Sequence, residues 1–261
     1  MKILVTGHSG MLGSEVCKAV ERMGHTILTH ANWGIDITEM PAERTDASIV
    51  INCAGLVPQR DPPPSAARMM RVNGYGPLHL AEWCERVGAR LIQVSTDCVF
   101  DGSGSGPHSE GDYAWPISNY GKSKLAGEIR REPHLTVRTS FVGFGKRGLI
   151  AELMQHEKDA EPYKASSHLL WTGHTTRFVA EALVMLAEKE IHGLLHIPGE
   201  TLTRYELCVL LRDTLDRDFR LPSTVYEPKI DRRLASTRWA KEGLPDLPSF
   251  EWQLEWLRRS Q

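Results

Sequence analysis

The chain has 261 residues, 41% of them hydrophobic and 25% charged, with a formal net charge of -2 at pH 7. The length allows one large domain or a main domain with a smaller lobe, and the charge balance lacks the basic face that nucleic-acid binding requires. No apolar run reaches the roughly 18 residues that a membrane-spanning helix needs, so we expect neither a nucleic-acid nor a membrane partner.

The predicted elements alternate between strand and helix along the first part of the chain. "KILVT" is typical of a buried strand and is too short for a signal-peptide core, residues 11–23 have helical periodicity, and "HTILT" predicts a second strand. The apolar run in "DASIVINCAG" is typical of a strand buried on both faces. A helical region follows over 65–87, and we expect it to break near 74–77, because proline disfavours a helix interior.

The alternation continues with the strand "ARLIQVS", a helix in "NYGKSKLAGE" and the strand "HLTVRTS". Repeated strand–helix–strand units predict an α/β protein with a doubly wound parallel sheet of the Rossmann type. After Ser140 the pattern becomes irregular, although residues 175–197 again read as a helix followed by a strand. We therefore predict a dinucleotide-binding domain of residues 1–142 and 172–198, and a smaller, discontinuous substrate lobe of residues 143–171 and 199–261.

Cysteine and histidine positions bear on location and on metal binding. The five cysteines are an odd number, are widely spaced and form no C-x-x-C motif, which favours reduced thiols in the cytoplasm. His168 and His174 flank "LLWTG" without carboxylate or cysteine partners at ligand spacing, so ordinary loop or core histidines fit them better. We expect no metal site.

Three glycines form the first motif that carries chemistry, in "GHSGMLG" between the first predicted strand and the first predicted helix. Glycines there let the backbone turn tightly and approach a pyrophosphate, to which the helix N-terminus offers unpaired N–H groups. Glycines also end strands for structural reasons, but this placement favours a dinucleotide. The cofactor-binding residues that we predict around this loop are Gly7, Gly10, Met11, Leu12, Gly13, Ala54 and Gly55.

A tyrosine and a lysine four residues apart form the second motif, in "NYGKSKLAGE". Residues four apart share a helix face, so Tyr120 and Lys124 would present a phenol and an ammonium to the same point. A free tyrosine has a pKa of about 10, and an ammonium about 4 Å away, at an effective dielectric of about 20, would lower it by about three units. A solvated surface pair is the structural alternative.

The spacing of both motifs resembles that of the short-chain dehydrogenase/reductases. "VSTDCVFDG", "YGKSKLAGE" and "RTSFVG" resemble the extended branch of that superfamily, and within it most closely the dTDP-4-dehydrorhamnose reductase family. The resemblance covers nearly the whole chain. It implies that Tyr120 is the general acid that protonates a carbonyl oxygen as hydride arrives, and that Lys124 tunes Tyr120 and holds the nicotinamide ribose.

A third group has to orient the carbonyl, and "VSTD" ends a strand at the sheet edge where ligands bind. Ser95 and Thr96 point to opposite faces, so only one of them can reach the site. The family's catalytic position is Thr96, and Asp97 resembles a substrate-contacting aspartate. The alternative is that these residues only cap a turn. Asn73 matches an asparagine that supports catalytic groups in the wider superfamily, and a plain polar helix residue is its alternative.

The residues expected to bind the substrate depart from the family pattern at two positions. Cys98 stands where the family usually has an aromatic residue and Phe141 where it often has tryptophan, and both positions lie near the sugar in the family. A sugar other than dTDP-4-dehydrorhamnose is therefore left open. Arg232 and Arg233 are candidates to hold a nucleotide diphosphate, with a solvated basic pair as the alternative.

The glycine-rich loop of residues 101–118 precedes the helix that carries Tyr120. Its composition favours a mobile loop that closes over the substrate, and a passive surface loop is the alternative.

The choice of cofactor depends on the end of the second strand. An acid there would accept the ribose hydroxyls of NAD, and "ANWG" at 31–34 contains none. This favours NADPH over strict NAD use, with NADH left open. Asp36 resembles a family residue near the adenine, and a role in the cap of the next helix is its alternative.

Three functions stay open at the level of sequence. The first is an NADPH-using reductase of a nucleotide-linked 4-keto-6-deoxy sugar, which delivers hydride to C4 with Tyr120 as proton donor. The second is a nucleotide-sugar epimerase or dehydratase of the same superfamily, which would retain its NAD. The third is a non-catalytic regulatory subunit, because the methionine adenosyltransferase beta subunit resembles the same family. A homodimer is left open.

Overall fold

The structure is a computed structural model that describes residues 1–29, 37–39, 45–159, 162–221 and 229–259. Its strands are β1 (Lys2–Thr6), β2 (Thr26–Thr29), β3 (Ile49–Asn52), β4 (Arg90–Thr96), β5 (Leu135–Thr139), β6 (Phe141–Val142), β7 (Leu169–Trp171), β8 (His174–Thr175), β9 (Gly193–His196), β10 (Leu202–Thr203) and β11 (Ile230–Asp231). Its α-helices are α1 (Met11–Arg22), α2 (Ala66–Met69), α3 (Gly76–Val87), α4 (Asn119–Ala126), α5 (Leu149–Lys158), α6 (Thr176–Ala187), α7 (Arg204–Thr214) and α8 (Phe250–Arg258).

A parallel sheet of six described strands forms the centre, in the order β2–β1–β3–β4–β5–β9. The predicted α/β class and parallel sheet are thus confirmed. Chain order reverses at β1, so a crevice opens between the carboxyl ends of β1 and β3, which is where doubly wound sheets bind ligands. All four residues of β3 are buried, as its unbroken apolar run predicts.

Apolar clusters cover both faces of this sheet. On one face α1 and α6 pack together through side chains such as Val16, Val20 and Leu183. On the other face α3 contributes Leu80 and Trp83. The helical periodicity of these segments accounts for the burial, because it places one apolar stripe of each helix against the sheet.

A smaller lobe has its own sheet, β10–β7–β11, and its own apolar cluster. Helices α5, α7 and α8 supply Leu153, Leu207 and Phe250 to that cluster. Trp239 and Leu244, which also lie in the C-terminal part of the chain, pack into the core of the central sheet instead. The division of the chain into the two predicted domains stays a prediction.

The helical region over 65–87 changes from α-helix to π-helix and back, close to where a break was expected. Ser65 caps α2, a π-helical turn over Met70–Tyr75 follows, and α3 begins directly after it. Pro77 is the second residue of α3, directly after the π-helical turn, and the helical region continues past it. The expected break near 74–77 is therefore wrong, and π-helical turns of this kind are frequent at functional sites.

Hydrogen bonds anchor the centre of the loop of residues 101–118, and its predicted mobility stays a prediction. The amide of His108 donates to the carbonyl of Arg233 at 2.7 Å, and the amide of Ala235 donates to the carbonyl of His108 at 2.8 Å. Glu110 accepts a hydrogen bond from the amide of Thr237 at 2.9 Å. Within the described ranges, no helix is long and apolar enough to cross a membrane.

We expect Gly127→Ala to lower the free energy of unfolding by about 1–3 kcal/mol, the usual cost of overpacking. A Cβ at Gly127 would lie 2.1 Å from the carbonyl oxygen of Asn73, in the π-helical turn, and 3.0 Å from Cγ of Pro77. Gly111→Ala is the matched control, because a Cβ there meets nothing within 4 Å. Urea unfolding measures both, and equal stability of the two variants would contradict tight packing after α4.

Candidate active site

Ser95 and Thr96, at the carboxyl end of β4, have hydroxyl groups that lie on opposite sides of the strand. Thr96 Oγ1 donates to Asp97 Oδ1 at 3.0 Å and accepts from the amide of Cys98 at 3.2 Å. Ser95 Oγ instead donates to Glu128 Oε1 at 2.8 Å. Thr96 is also close enough to Tyr120 to oppose the rise that burial causes in the pKa of the phenol. Thr96 therefore caps the turn after β4, which was the alternative to a catalytic role. It also lies beside Tyr120, the predicted proton donor.

Helix α4 places Tyr120 in its first turn, where the Ser118 side chain accepts from the amide of Gly121 at 3.0 Å and caps the helix. The helix comes close to the end of β4 because residue 121 is glycine. A Cβ there would lie 2.2 Å from the carbonyl oxygen of Cys98 and 2.8 Å from Cβ of Pro116. The predicted helix is confirmed, and it brings Tyr120 next to the turn that follows β4.

Lys124 lies one helical turn after Tyr120 and is buried. Its ammonium Nζ donates to the carbonyl oxygen of Val94 at 2.6 Å. Burial lowers the pKa of Lys124 to about 8, although the charges of Glu128 and Cys53 act to raise it. The side chain therefore remains mostly protonated at neutral pH.

The pKa of Tyr120 shifts in the direction opposite to our expectation. Burial raises it well above its usual value, the nearby Cys98 and Asp97 raise it further, and the nearby Thr96 hydroxyl opposes the rise. The expected lowering by Lys124 is wrong for this structure, because the ammonium is turned to the carbonyl of Val94. A phenol with a raised pKa keeps its proton at neutral pH, which is the form that a proton donor needs.

A buried ion pair fixes the end of the α4 segment to β5. Glu128 accepts from Nε and Nη2 of Arg138 at 2.7 and 2.8 Å, and both side chains are almost fully inaccessible to solvent. Burial acts to raise the pKa of Glu128, but the bonds and charge of Arg138 outweigh it and hold that pKa below its usual value. Arg138 also contacts His196 Nε2 at 3.3 Å, which extends the network to β9.

Asn73, in the π-helical turn, joins the segment after β3 to α4. Its side chain accepts from the amide of Leu56 at 2.7 Å and donates to the carbonyl of Leu56 at 2.9 Å and to Ser123 Oγ at 3.1 Å. Ser123 in turn donates to the carbonyl of Tyr120 at 2.8 Å. A Cβ at Gly55 would lie 3.3 Å from Asn73 Oδ1. Asn73 is thus a buried bridge to the Tyr120 segment and not a plain polar surface residue.

Different constraints favour glycine at each of the three positions after β1. Gly7 has a φ of +68°, and a Cβ there would lie 2.5 Å from the amide nitrogen of Ala54. A Cβ at Gly13 would lie 2.1 Å from the carbonyl oxygen of Gly7. At Gly10 a Cβ would meet just that oxygen, at 3.2 Å, and it would otherwise occupy open space. Gly7 and Gly13 therefore make the turn tight, and Gly10 leaves room for a ligand.

The N-terminus of α1 is suited to an anion. Gly10 is its N-cap and supplies no side-chain cap, whereas serine or threonine side chains cap α2, α4, α6, α7 and α8. The first amides of a helix have no partner inside it. The turn therefore fits a dinucleotide pyrophosphate, through the first-turn amides of Met11, Leu12 and Gly13.

The two predicted arginines have different surroundings. Arg232 donates to the carbonyls of Phe100 at 3.0 Å and Asp101 at 3.2 Å. Burial raises the pKa of the nearby Asp97, and the charge of Arg232 opposes that rise. Arg233 donates from Nε and Nη2 to the buried carboxylate of Asp231, at 2.8 Å each. The structure brings Arg232 to the site, while the guanidinium of Arg233 is already engaged in a bidentate ion pair.

The remaining predicted residues lie near this centre or outside the described part. Cys98 adjoins Asp97 and Tyr120, and burial raises its pKa to about 12. Phe141 is partly buried in β6, where it pairs with His174. Asp36 and residues 31–34, on which the choice of cofactor depended, lie outside the described residues. No group of three or more His, Cys, Asp or Glu side chains within the described segments could hold a metal ion.

Sequence reasoning missed several polar residues that hold the site. Glu128 follows Lys124 at the four-residue spacing, a signal that could have been used. Arg138 and His196 become its partners through the neighbouring strands β5 and β9, which no local pattern indicates. Trp171 Nε1 donates to Ser140 Oγ at 2.7 Å across 31 positions, and this contact had no sequence signal.

A glycine turn at the switch point of a parallel sheet, with Tyr120 and Lys124 one helical turn apart beside the end of β4, defines a short-chain dehydrogenase/reductase. The family model described as the RmlD substrate binding domain matches residues 1–234. The chain belongs to this family, and its relatives confirm the expected likeness to dTDP-4-dehydrorhamnose reductases.

Two curated relatives bear the name dTDP-4-dehydrorhamnose reductase. The protein of Mycobacterium tuberculosis is 34% identical over 271 residues, which cover 94% of this chain and 88% of the relative. The protein of Streptomyces griseus is 37% identical over 169 residues, which cover 60% of this chain and 56% of the relative.

Solved structures share the fold at lower sequence identity. The dTDP-4-dehydrorhamnose reductase of Bacillus anthracis, in complex with NADP, has a TM-score of 0.84 at 20% identity and covers 100% of this chain and 99% of that one. The Clostridium acetobutylicum protein has a TM-score of 0.83 at 24% identity, with the same coverage. UDP-glucose 4-epimerase of Thermotoga maritima, with UDP-glucose, has a TM-score of 0.78 at 19% identity, covering 99% and 98%. The fold alone does not separate reductase from epimerase.

We expect Glu128→Gln to reduce the pH dependence of stability. The native pKa of Glu128 lies below its ordinary value of 4.5, so the ionised pair stabilises the fold fully above about pH 4.5 and loses its effect as the pH falls through the native pKa. Glutamine does not titrate and leaves the Arg138 charge buried, so stability at pH 7 should fall by about 3–5 kcal/mol.

Denaturant unfolding between pH 3 and pH 7 measures this effect, with Glu82→Gln on the exposed side of α3 as the control. The same pH dependence in Glu128→Gln as in the wild type would contradict the role of the buried pair.

Proposed function

We propose that the protein is an NADPH-dependent reductase of a nucleotide-linked 4-keto-6-deoxy sugar, as its relatives' names suggest. The observation that carries the proposal is that Tyr120, Thr96 and Lys124 lie together at the carboxyl end of β4. They do so in a chain whose 34%-identical relative is named for this reduction.

The glycine turn after β1 supports binding of the dinucleotide. Gly10 and the first amides of α1 would hold the pyrophosphate, and Lys124 would hold the nicotinamide ribose. NADPH, when bound, supplies the hydride that the carbonyl carbon accepts. The assignment of NADPH is supported by the NADP in the Bacillus anthracis structure. A contact from Asp36 stays a prediction.

The proton for the alcohol product comes from Tyr120. Its raised pKa keeps the phenol protonated at neutral pH, and the Thr96 hydroxyl lies nearby. As hydride reaches C4, the carbonyl oxygen gains the electron pair of its π bond and takes the phenol proton, so an alcohol and a phenolate result.

Sugar and diphosphate would contact the other polar groups of the site. Asp97 is buried beside Thr96 and can accept hydrogen bonds from sugar hydroxyls, with Cys98 and Phe141 as further contacts. Arg232 lies near the carboxylate of Asp97, whereas Arg233 is held in a bidentate ion pair with Asp231. This difference supports Arg232 as the residue that would bind the diphosphate.

The cysteines bear on the cellular location of the protein. The five cysteines form no disulfide, which supports the inference of a cytoplasmic location. A homodimer stays a prediction.

A panel of nucleotide-linked 4-keto sugars incubated with NADPH tests the proposed function through loss of nicotinamide absorbance. We expect stoichiometric oxidation of NADPH with at least one 4-keto-6-deoxy sugar. Tightly copurifying NAD without net cofactor consumption would favour an epimerase or dehydratase. NADPH binding without reduction of any sugar would favour a regulatory subunit.

We expect Gly10→Val to weaken NADPH binding by at least about tenfold while the fold survives. The branched side chain would occupy the open space beside the α1 N-terminus that the pyrophosphate needs. Gly104→Val is the control, since a Cβ there meets nothing within 4 Å. Fluorescence titration measures the affinity, and wild-type affinity in folded Gly10→Val would refute the assignment of the glycine turn.

We expect Tyr120→Phe to lower turnover by about two to four orders of magnitude and to leave the affinity for NADPH nearly unchanged. Lys124→Met should lower both, and Thr96→Val should lower turnover by less than Tyr120→Phe. Tyr113→Phe is the matched control, because the Tyr113 side chain is 80% exposed. Steady-state kinetics decides, and near-normal reduction by Tyr120→Phe would exclude Tyr120 as the proton donor.

A further inference from the structure

His196, the last residue of β9, ends a buried series of hydrogen bonds that the proposed reduction leaves without a role. Ser95 Oγ donates to Glu128 Oε1 at 2.8 Å, and Arg138 donates to both oxygens of the same carboxylate, at 2.7 and 2.8 Å. Arg138 Nη1 lies 3.3 Å from His196 Nε2. Arg138 and His196 are both fully buried. The His196 imidazole is therefore linked to the residue that precedes Thr96.

The other ring nitrogen of His196 faces two carbonyl groups. Nδ1 lies 2.9 Å from the carbonyl oxygen of Ala235, in the segment after β11, and 3.2 Å from that of His108, at the centre of the glycine-rich loop. The main-chain amide of His196 also donates to Glu110 Oε1 of that loop, at 3.1 Å. His196 therefore joins β5, the loop and the segment after β11.

The chemistry of these partners determines which ring nitrogen carries the proton. A guanidinium can only donate, so Nε2 of His196 has to accept from Arg138. Backbone carbonyls can only accept, so the proton of the neutral imidazole lies on Nδ1, between Ala235 and His108. A second proton, on Nε2, would face the guanidinium of Arg138 and break that contact. The surroundings therefore select the neutral form with its proton on Nδ1.

The charges around His196 favour the same form. Burial and the charge of Arg138 lower the pKa of His196, whereas the charge of Glu110 and the bonds to the carbonyls of Ala235 and His108 oppose that lowering. Arg138 faces the ring from β5, and Glu110 and His108 face it from the glycine-rich loop. The imidazole is therefore neutral at pH 7.

The contacts of His196 extend to the side of the site where the sugar would bind. Phe100 follows the turn that begins at Asp97, and its ring lies edge-on to that of His196 with centroids 6.2 Å apart. The carbonyl oxygen of Phe100 accepts from Nε of Arg232 at 3.0 Å, three residues before Ala235. His196 thus packs against the end of that turn and binds the segment that carries Arg232.

We propose that His196 is a positioning residue of the sugar side of the site, whose Nδ1–H holds the segment of residues 232–237 and so keeps Arg232 in place for a nucleotide sugar. The effect on sugar binding rests on the proposed function, whereas the position of the ring proton and the bond to Ala235 do not. NADPH binding should not depend on His196, because three strands separate β9 from β1 and its glycine turn.

The position of the ring proton can be measured without turnover by NMR of wild-type protein labelled with carbon-13 and nitrogen-15, in which the backbone assignment identifies the His196 ring. We expect a protonated Nδ1 and an unprotonated Nε2 from about pH 7 to pH 9, because the pKa of His196 lies below its ordinary value. A proton on Nε2, in either the neutral or the doubly protonated ring, would overturn the proposal.

Two substitutions separate the roles of the two ring nitrogens. The side-chain amide of asparagine lies roughly where Nδ1 lies and can donate to the Ala235 carbonyl, whereas that of glutamine reaches the place of Nε2 and can accept from Arg138. We expect His196→Gln to raise the KM for the nucleotide sugar by about five- to tenfold, the equivalent of one hydrogen bond. His196→Asn should change this KM by less than about twofold, and neither variant should change the KM for NADPH.

Steady-state kinetics with a 4-keto sugar that the wild type reduces measures these effects. His192→Gln is the matched control, because the His192 side chain is 48% exposed, and it should keep wild-type kinetics. A residue that only fills space predicts the opposite order of the two variants, because glutamine is closer to histidine in size than asparagine is.

A KM for the sugar that rises equally in both variants, or more in His196→Asn, would overturn the positioning role. If the wild type reduces no keto sugar, the proposed function fails, and the NMR measurement still decides whether His196 donates from Nδ1 to the segment after β11.

Discussion

The docking of α4 on the carboxyl end of β4 is the constraint on which the rest of the site depends. Buried polar groups are costly unless they are paired, so the bonds from Lys124 to the carbonyl of Val94 and from Ser95 to Glu128 allow one register of the helix on the strand. Gly121 permits the close approach that these bonds require. The position of Tyr120 beside Thr96 follows from this register.

This arrangement keeps both titratable groups of the motif protonated at neutral pH. Burial raises the pKa of the Tyr120 phenol, and it lowers the pKa of Lys124 only to about 8, which keeps the ammonium mostly charged at pH 7. A neutral phenol next to a substrate carbonyl can give up a proton. Burial therefore favours the protonated phenol, which is the form that donates a proton during a reduction.

Local signals predicted the parts of this structure whose geometry is set by residues close in sequence. The glycine turn and the Tyr120 helix follow from spacing. Strand alternation predicts that only one of Ser95 and Thr96 reaches the site, and the choice of Thr96 came from the family resemblance. The same alternation should have separated Arg232 from Arg233, which follow β11 and have different partners. Glycine content predicted a mobile loop at 101–118, but the hydrogen bonds that anchor this loop come from residues more than 120 positions later in the chain. The indole contact between β7 and the segment after β5 also joins elements that the sequence alone does not relate.

The most direct measurement of the central claim follows the hydride. Wild-type protein is incubated with NADPH that carries deuterium at both C4 positions of the nicotinamide and with a panel of nucleotide-linked 4-keto-6-deoxy sugars that includes dTDP-4-dehydrorhamnose, and the sugar product is analysed by mass spectrometry and NMR. The account predicts one deuterium per product molecule, bound to C4 of the sugar, and one NADP formed for each. Sugar product without deuterium at C4, or no product although the cofactor binds, would contradict it.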